Sequence, residues 1–497
     1  MPTLRIAILQ PPAPDYGRAE AAWSDLLARI DDAAQDEPDL VVLPEASYPA
    51  WFLGAAATTA PVLSDARILG DLAERARQHG IHVAAGLVLG RPGAPQNAAV
   101  LLSADGVELA RATESKPAPW FQPGRGPAAA TIAGAPVALF AGADHLDPRW
   151  VEAIADARTE LCIATGAARG WAGPRQDPPV AGDPSMHVIA TRAIETGAWF
   201  AVAGRAGVEA DSVGYAGGAG IASPHDGWLA RAPEDRAGIV LHACELSPPV
   251  PGVSPLPTRS APPAQRAEAG ATRVAALALD PSPSVVELME SVRASVRAAA
   301  ALGAQVIVLP DLTGPDPRAV TRAEVLPLLE EVAAETRTVV VAGAAERSNG
   351  ELYRSVSVVE DGRLLATYRQ AVLAAADLAA GFRAGFQAAG EATPVVATQR
   401  AGVLGLLAGR EGLQPSAAAE LRRSGAQLIA WCAGGDTRRS LTPVAQTRAW
   451  EQRLPVAAAG GAASGACVAG EGGVLLAVTR AGTPMLTHAT VERRASS

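Results

Sequence analysis

A continuous apolar run closed by proline and an acid, Leu40-Val-Val-Leu-Pro-Glu45, returns in the second half of the chain as Val306-Ile-Val-Leu-Pro-Asp311. A strand with one face in water alternates polar and apolar residues; one covered on both faces reads as an unbroken β-branched run. Both copies therefore predict a parallel strand inside a layered α/β domain. Each is preceded by a short strand (Leu4 to Leu9; Arg273 to Leu279) and an amphipathic helix. At 497 residues the chain exceeds one ordinary domain, so two cores are expected.

The duplication runs on. Asn97 to Val107 reads as strand, Asp-Gly turn and strand, and Ser355 to Leu365 repeats it around Asp361-Gly362. A further strand (Val137 to Ala141; Val403 to Ala408) precedes a proline-started helix at Pro148 and Pro415, then another strand (Glu160 to Thr165; Gln427 to Trp431). Arg192-Ala-Ile-Glu195 is matched by Arg448-Ala-Trp-Glu451, each closing a helix. This is an internal repeat of about 240 residues. Between the copies, seven prolines fall between Pro248 and Pro263, which suits an extended tether. The expected organisation is a domain over 1–246, a Pro-rich linker over 247–270 and a second domain over 271–497.

The order of these pieces resembles the nitrilase, or carbon-nitrogen hydrolase, superfamily. The resemblance implies an α/β fold of two tandem four-layer αββα sandwich domains, and activity on an amide, nitrile or carbamoyl group of a small molecule. It also implies three chemical roles. A Cys attacks the electrophilic carbon, a Glu moves the proton, and a Lys stabilises the charge that develops on the intermediate. Glu45 matches the glutamate. Lys116, the only lysine beside 41 arginines, matches the lysine. Counting back from Pro148 puts the nucleophile position at Gly142, with Asp144 beside it as a turn residue. In the second half, Asp311, Gln370 and Gly409 stand at the three positions, a degenerate site. Cys162 and Cys432 fall in the following strands and read as packing residues. Tyr48, Trp51 and Trp120 flank the candidate site and are possible pocket lining.

Two functions follow. If active, the protein works at the N-terminal site alone, without a cysteine acyl-enzyme, Glu45 activating water and Lys116 holding the oxyanion. The alternative is a non-catalytic pseudoenzyme, a small-molecule-binding or scaffold module. The expected ligand is a small amide, nitrile or carboxylate, and the two domains are expected to pair as an intramolecular pseudo-dimer, with further homo-oligomerisation open. The net charge of -9 and the lack of any basic run argue against nucleic acid. No cofactor and no metal is expected, because the seven histidines and four cysteines show no ligand spacing. The N-terminus enters a strand without a signal-peptide pattern, and no run suits a membrane span, so a cytoplasmic protein is expected.

Overall fold

The computed structural model describes residues 3–14, 16–53, 63–91, 93–166, 169–171, 185–247, 268–280, 284–313, 320–373, 375–385, 394–434, 441–480, 482 and 485–495. The Pro-rich tether lies outside these residues except at its ends. The chain divides into two compact units, Met1–Gly252 and Val253–Ser497.

The first unit holds two six-stranded sheets face to face. One is ordered Gly238–Glu245, Thr3–Gln10, Leu40–Leu43, His82–Leu89, Gln96–Leu102, Glu108–Thr113. The other is ordered Gly227–Arg231, Gly220–Ser223, Trp199–Val202, Leu161–Ala164, Ala135–Phe140, Ala128–Ile132. The apolar run Leu40-Val-Val-Leu43 explains the layering. Leu40 and Val42 point into the core between the sheets, with Ile6, Leu101, Leu139 and Ile163. Val41 and Leu43 point the other way, against Trp23, Leu26 and Ile30 of the Ala19–Ala34 helix and Leu72 of the Asp65–His79 helix. Each such side chain contributes about 1.5–3 kcal/mol of burial, so both faces need cover. On the far side, Ile154 of the Arg149–Asp156 helix and Ile189 of the Ser185–Thr196 helix cover the second sheet. The order is helix, sheet, sheet, helix.

The second unit repeats the plan. Its sheets run Arg363–Arg369, Glu351–Glu360, Val339–Ser348, Val306–Asp311, Gly270–Ala278, Met485–Arg493, and Val395–Thr398, Gly402–Ala408, Leu428–Cys432, Val456–Ala459, Ala466–Ala469, Leu475–Val478. Val306 and Val308 enter the inter-sheet core, while Ile307 and Leu309 meet the Val285–Ala301 and Arg322–Thr336 helices. Among the described residues no helix is long and apolar enough to cross a membrane.

The two copies differ at one hairpin. In the first unit, Ser103 N–H bonds Val107 O at 2.8 Å around Ala104-Asp105-Gly106. In the second, Glu360 pairs with Arg363 around Asp361-Gly362 alone. One residue fewer in the turn shifts the outgoing strand by one place against the returning strand. Asn97 is consequently matched by Arg354, and not by the following serine. Glu114 N–H bonds Asn97 O at 2.9 Å and Gln370 N–H bonds Arg354 O at 2.7 Å.

Candidate functional site

In each unit the acidic candidate and the turn glycine lie where parallel strands end. Glu45 leaves the Leu40–Leu43 strand through Pro44, and its backbone N–H bonds Thr165 O just past the Leu161–Ala164 strand. A Cβ on Gly86, in the neighbouring strand, would lie 2.5 Å from Glu45 Cα, so the acidic residue sits directly on a glycine. Gly142 begins the 3-10 turn Gly142–Leu146 after the Ala135–Phe140 strand, at φ +54°. The left-handed conformation lets the chain turn sharply there, and glycine adopts it without a Cβ clash.

Glu45, Asn97 and Glu114 form one buried group, 1%, 1% and 3% exposed. Asn97 Nδ2 donates to Glu45 Oε1 at 2.5 Å and to Glu114 Oε2 at 2.6 Å. Glu114 Oε1 accepts the N–H of Ala143 at 2.8 Å. Its carboxyl lies against Gly142 so closely that a Cβ there would be 2.2 Å from Glu114 Cδ. The carboxylate therefore fills the space a side chain at position 142 would need, and engages the backbone donor beside it.

Lys116 is not part of this group. Its side chain is 71% exposed and its Nζ stands 3.3 Å from Asp147 Oδ2, a carboxylate shared with Arg149 at 2.8 Å. The expectation that it stands beside Glu45 is corrected, and the physical reason is where the strand stops: Ala110 and Ala112 of the Glu108–Thr113 strand and then Glu114 just past it face inward, whereas by residue 116 the chain has left the strand and bent into solvent, so the alternation no longer applies. Ser115, between them, is tied down by Asp144, which accepts from its N–H at 2.9 Å and its hydroxyl at 2.5 Å. Burial raises the Asp144 carboxyl above its ordinary range, and the Ser115 bonds oppose that rise. Asp144 thus anchors the loop.

The aromatic residues separate. Trp51 and Trp120 pack edge to face at 4.8 Å, and Trp120 Nε1 donates to Trp51 O at 3.0 Å. They share an apolar cluster with Ala46 and Phe121, adjoining Glu45 in the chain. Tyr48 does not join them. It lies in the helix layer, 5.7 Å from Trp23, with its hydroxyl accepting from Leu63 N–H at 2.8 Å. On another flank Tyr215 donates to Glu209 at 2.6 Å, and Arg205 lies over the Tyr215 ring at 5.7 Å. Burial, helped by the charges of Glu209 and Glu45, holds the Tyr215 phenol far above its usual range.

The second unit carries the same scaffold with a different filling. Gly409 opens the Gly409–Leu413 turn at φ +51°. Arg354, in the register place of Asn97, bridges two carboxylates: its Nη1 is 2.9 Å from Asp311 Oδ2 and its Nη2 3.4 Å from Asp377 Oδ1. A Cβ on Gly409 would lie 2.9 Å from Arg354 Cδ. Gln370 turns its amide to Val372 O at 2.6 Å. Sequence reasoning missed Asn97, Glu114 and Arg354. Glu411, in the place of Asp144, accepts from Tyr368, Ala371 and Ala408, at 2.8, 2.7 and 3.0 Å.

The four cysteines are buried and unbridged. Cys162 and Cys432 lie in strands, and burial pushes their thiols well above the ordinary range; Cys244 and Cys467 are pushed up to about 12. A thiol held protonated in an apolar interior is a poor nucleophile. Among the described residues no three His, Cys, Asp or Glu side chains converge as a metal site.

No curated protein is significantly similar to the chain. Among solved structures, an amidase of the nitrilase superfamily from Nesterenkonia sp. AN1, as a single mutant, is 21% identical over 48% of this chain and 90% of that one, with a TM-score of 0.42. A double mutant of the same amidase in complex with acrylamide is 20% identical over 49% and 90%, again at 0.42. The family carbon-nitrogen hydrolase matches residues 5–248 and again 273–494, nearly the whole chain. The chain therefore belongs to the carbon-nitrogen hydrolase family, as two copies in tandem.

Proposed function

We propose that this protein is a non-hydrolytic member of its family, whose N-terminal domain binds a small molecule and whose C-terminal domain is structural. The observation that carries the reading is the seat of Glu114. Cleavage of a carbon-nitrogen bond builds negative charge on the substrate, which preorganised donors must meet. In this pocket the Ala143 N–H is already engaged by the Glu114 carboxylate, which also fills the space beside Gly142, so that donor is not available to meet the developing charge. Lys116 points to solvent beside Asp147, so the direct attack of water assisted by Glu45 lacks the ammonium it was assigned. The covalent route lacks a thiol at position 142, and the buried cysteines lie in strands. In the C-terminal unit the Arg354 guanidinium lies between Asp311 and Asp377, against the glycine at the nucleophile position.

The test is ammonia release from a panel of amides, nitriles and carbamoyl compounds, read beside thermal unfolding of the same samples. The expected result is no product above the blank, with stabilisation by a ligand that fits the pocket. Turnover that disappears in Glu45→Gln would overturn the reading.

A further inference from the structure

We infer that one edge of the C-terminal unit is an interface between two copies of this chain, formed when the Leu475–Val478 strand pairs antiparallel with itself across a twofold axis. That strand ends its sheet, and among the described residues no strand pairs with its outer side. The run Val474-Leu-Leu-Ala-Val478 holds no charge and no proline. Val474, Leu475, Leu476 and Val478 are 56%, 36%, 43% and 48% exposed. Met485, 45% exposed, opens the adjacent edge strand Met485–Arg493 of the facing sheet. An edge strand offers a row of backbone N–H and C=O groups; one that also shows apolar side chains to water is a template for another strand, and charged side chains ordinarily blunt it.

The first unit carries a blunted version of the same edge. Its last strand, Gly227–Arg231, has the same bulge: Leu229 is skipped between the pairs Ala222–Trp228 and Ile221–Ala230, as Leu476 is between Ala469–Leu475 and Val468–Ala477. The bulges align the two strands residue by residue, with Arg231 in the place of Val478 and Trp228 in the place of Leu475. Arg231 lies over the Trp228 ring at 5.7 Å and bonds Glu234 at 2.7 Å, while Trp228 Nε1 donates to Met186 O at 2.7 Å. A charge and an anchored indole stand where the second unit has a valine and a leucine. The scaffold is shared, so the apolar edge is a property of these side chains and not of the fold.

Charge selects the occupant. Glu471 lies just before the run and Arg480 just after it. Two antiparallel copies bring Glu471 of each alongside Arg480 of the other at both ends and lay the apolar centre on itself, whereas a parallel pair sets like charges together. Glu471 also bonds Arg494 at 2.5 Å, which holds it at this end of the strand. A strand with an acid at one end, a base at the other and an uncharged apolar centre is its own complement, and pairing about a twofold axis closes on a dimer.

The experiment is light scattering of the eluting full chain between about 1 and 100 μM. The expected result is a dimer. Val478→Arg, which gives this edge the charge of its counterpart, and Leu476→Lys should each weaken the dimer at least about tenfold with the circular dichroism of the fold retained. Leu229→Arg, at the first unit's edge, should leave it unchanged. Leu476→Cys, close to the axis, should give a disulfide-linked dimer in diamide, since the four native cysteines are buried. A monomer throughout the range would overturn the inference, as would a dimer that persists in both Val478→Arg and Leu476→Lys, or one lost in Leu229→Arg alone.

Discussion

Gly142 and Glu114 act as one unit. Gly142 has a left-handed backbone, and a methyl group on it would meet the Glu114 carboxyl, which Asn97 and Ala143 hold in place. Gly142→Ala should therefore destabilise the protein by about 2–4 kcal/mol in urea unfolding, the sum of backbone strain and a displaced buried carboxylate. In a Glu114→Ala background the same change should cost only the strain, about 1 kcal/mol. Strict additivity in the double-mutant cycle would show that the two do not compete for space. This pair also marks where the sequence was legible and where it was not. The chain's single lysine drew attention two residues past the inward-facing position. Counting from the glycines of the two Asp-Gly turns finds it directly: Glu114 lies eight residues after Gly106, and Gln370 eight after Gly362. Arg354 was harder to find, because the turns differ by one residue and that difference becomes visible only in the hydrogen-bond register.

At the level of elements, the Arg-Ala-x-Glu signature reads as a fastener. Arg192 bonds Glu195 at 2.8 Å within its helix and donates to Leu146 O at 2.7 Å, at the end of the turn that Gly142 begins. Arg448 repeats this, bonding Glu451 at 2.5 Å and donating to Gly412 O at 2.9 Å. Each arginine ties an outer helix to the turn that shapes a pocket. Both partners are almost wholly buried, so removing one leaves a charge in the interior. Arg192→Met should cost about 3–5 kcal/mol, and Arg192→Met with Glu195→Leu should recover much of it, since replacing both charges removes the desolvation penalty. A double variant as unstable as the single would place the cost in the lost turn contact instead. The strands were legible for a plain reason: buried runs such as Leu40-Val-Val-Leu43 alternate between two apolar layers, so they announce both sheets and both helix layers together.

For the whole molecule, two units with separate cores can respond separately to pH. Glu411 anchors the C-terminal turn; burial raises its carboxyl to about 7, outweighing the bonds from Ala408, Tyr368 and Ala371 that favour the charged form. The folded protein thus holds this proton at pH values where the unfolded chain, titrating near 4.5, has released it. More protons bound in the folded state means stability falls as pH rises. The contribution is fully present below about 4.5, declines by at most about 1.4 kcal/mol per pH unit, and is lost once pH passes about 7. In the N-terminal unit the matching group is Asp144, also raised by burial but from a lower starting value of 3.8. Calorimetry across this range should show a C-terminal transition that moves down in temperature between pH 4.5 and 7. Glu411→Gln, neutral at every pH, should flatten that movement even though it gives up an acceptor at the Ala408 or Tyr368 bond. A slope that persists in the variant would assign the effect to another carboxyl of the same unit.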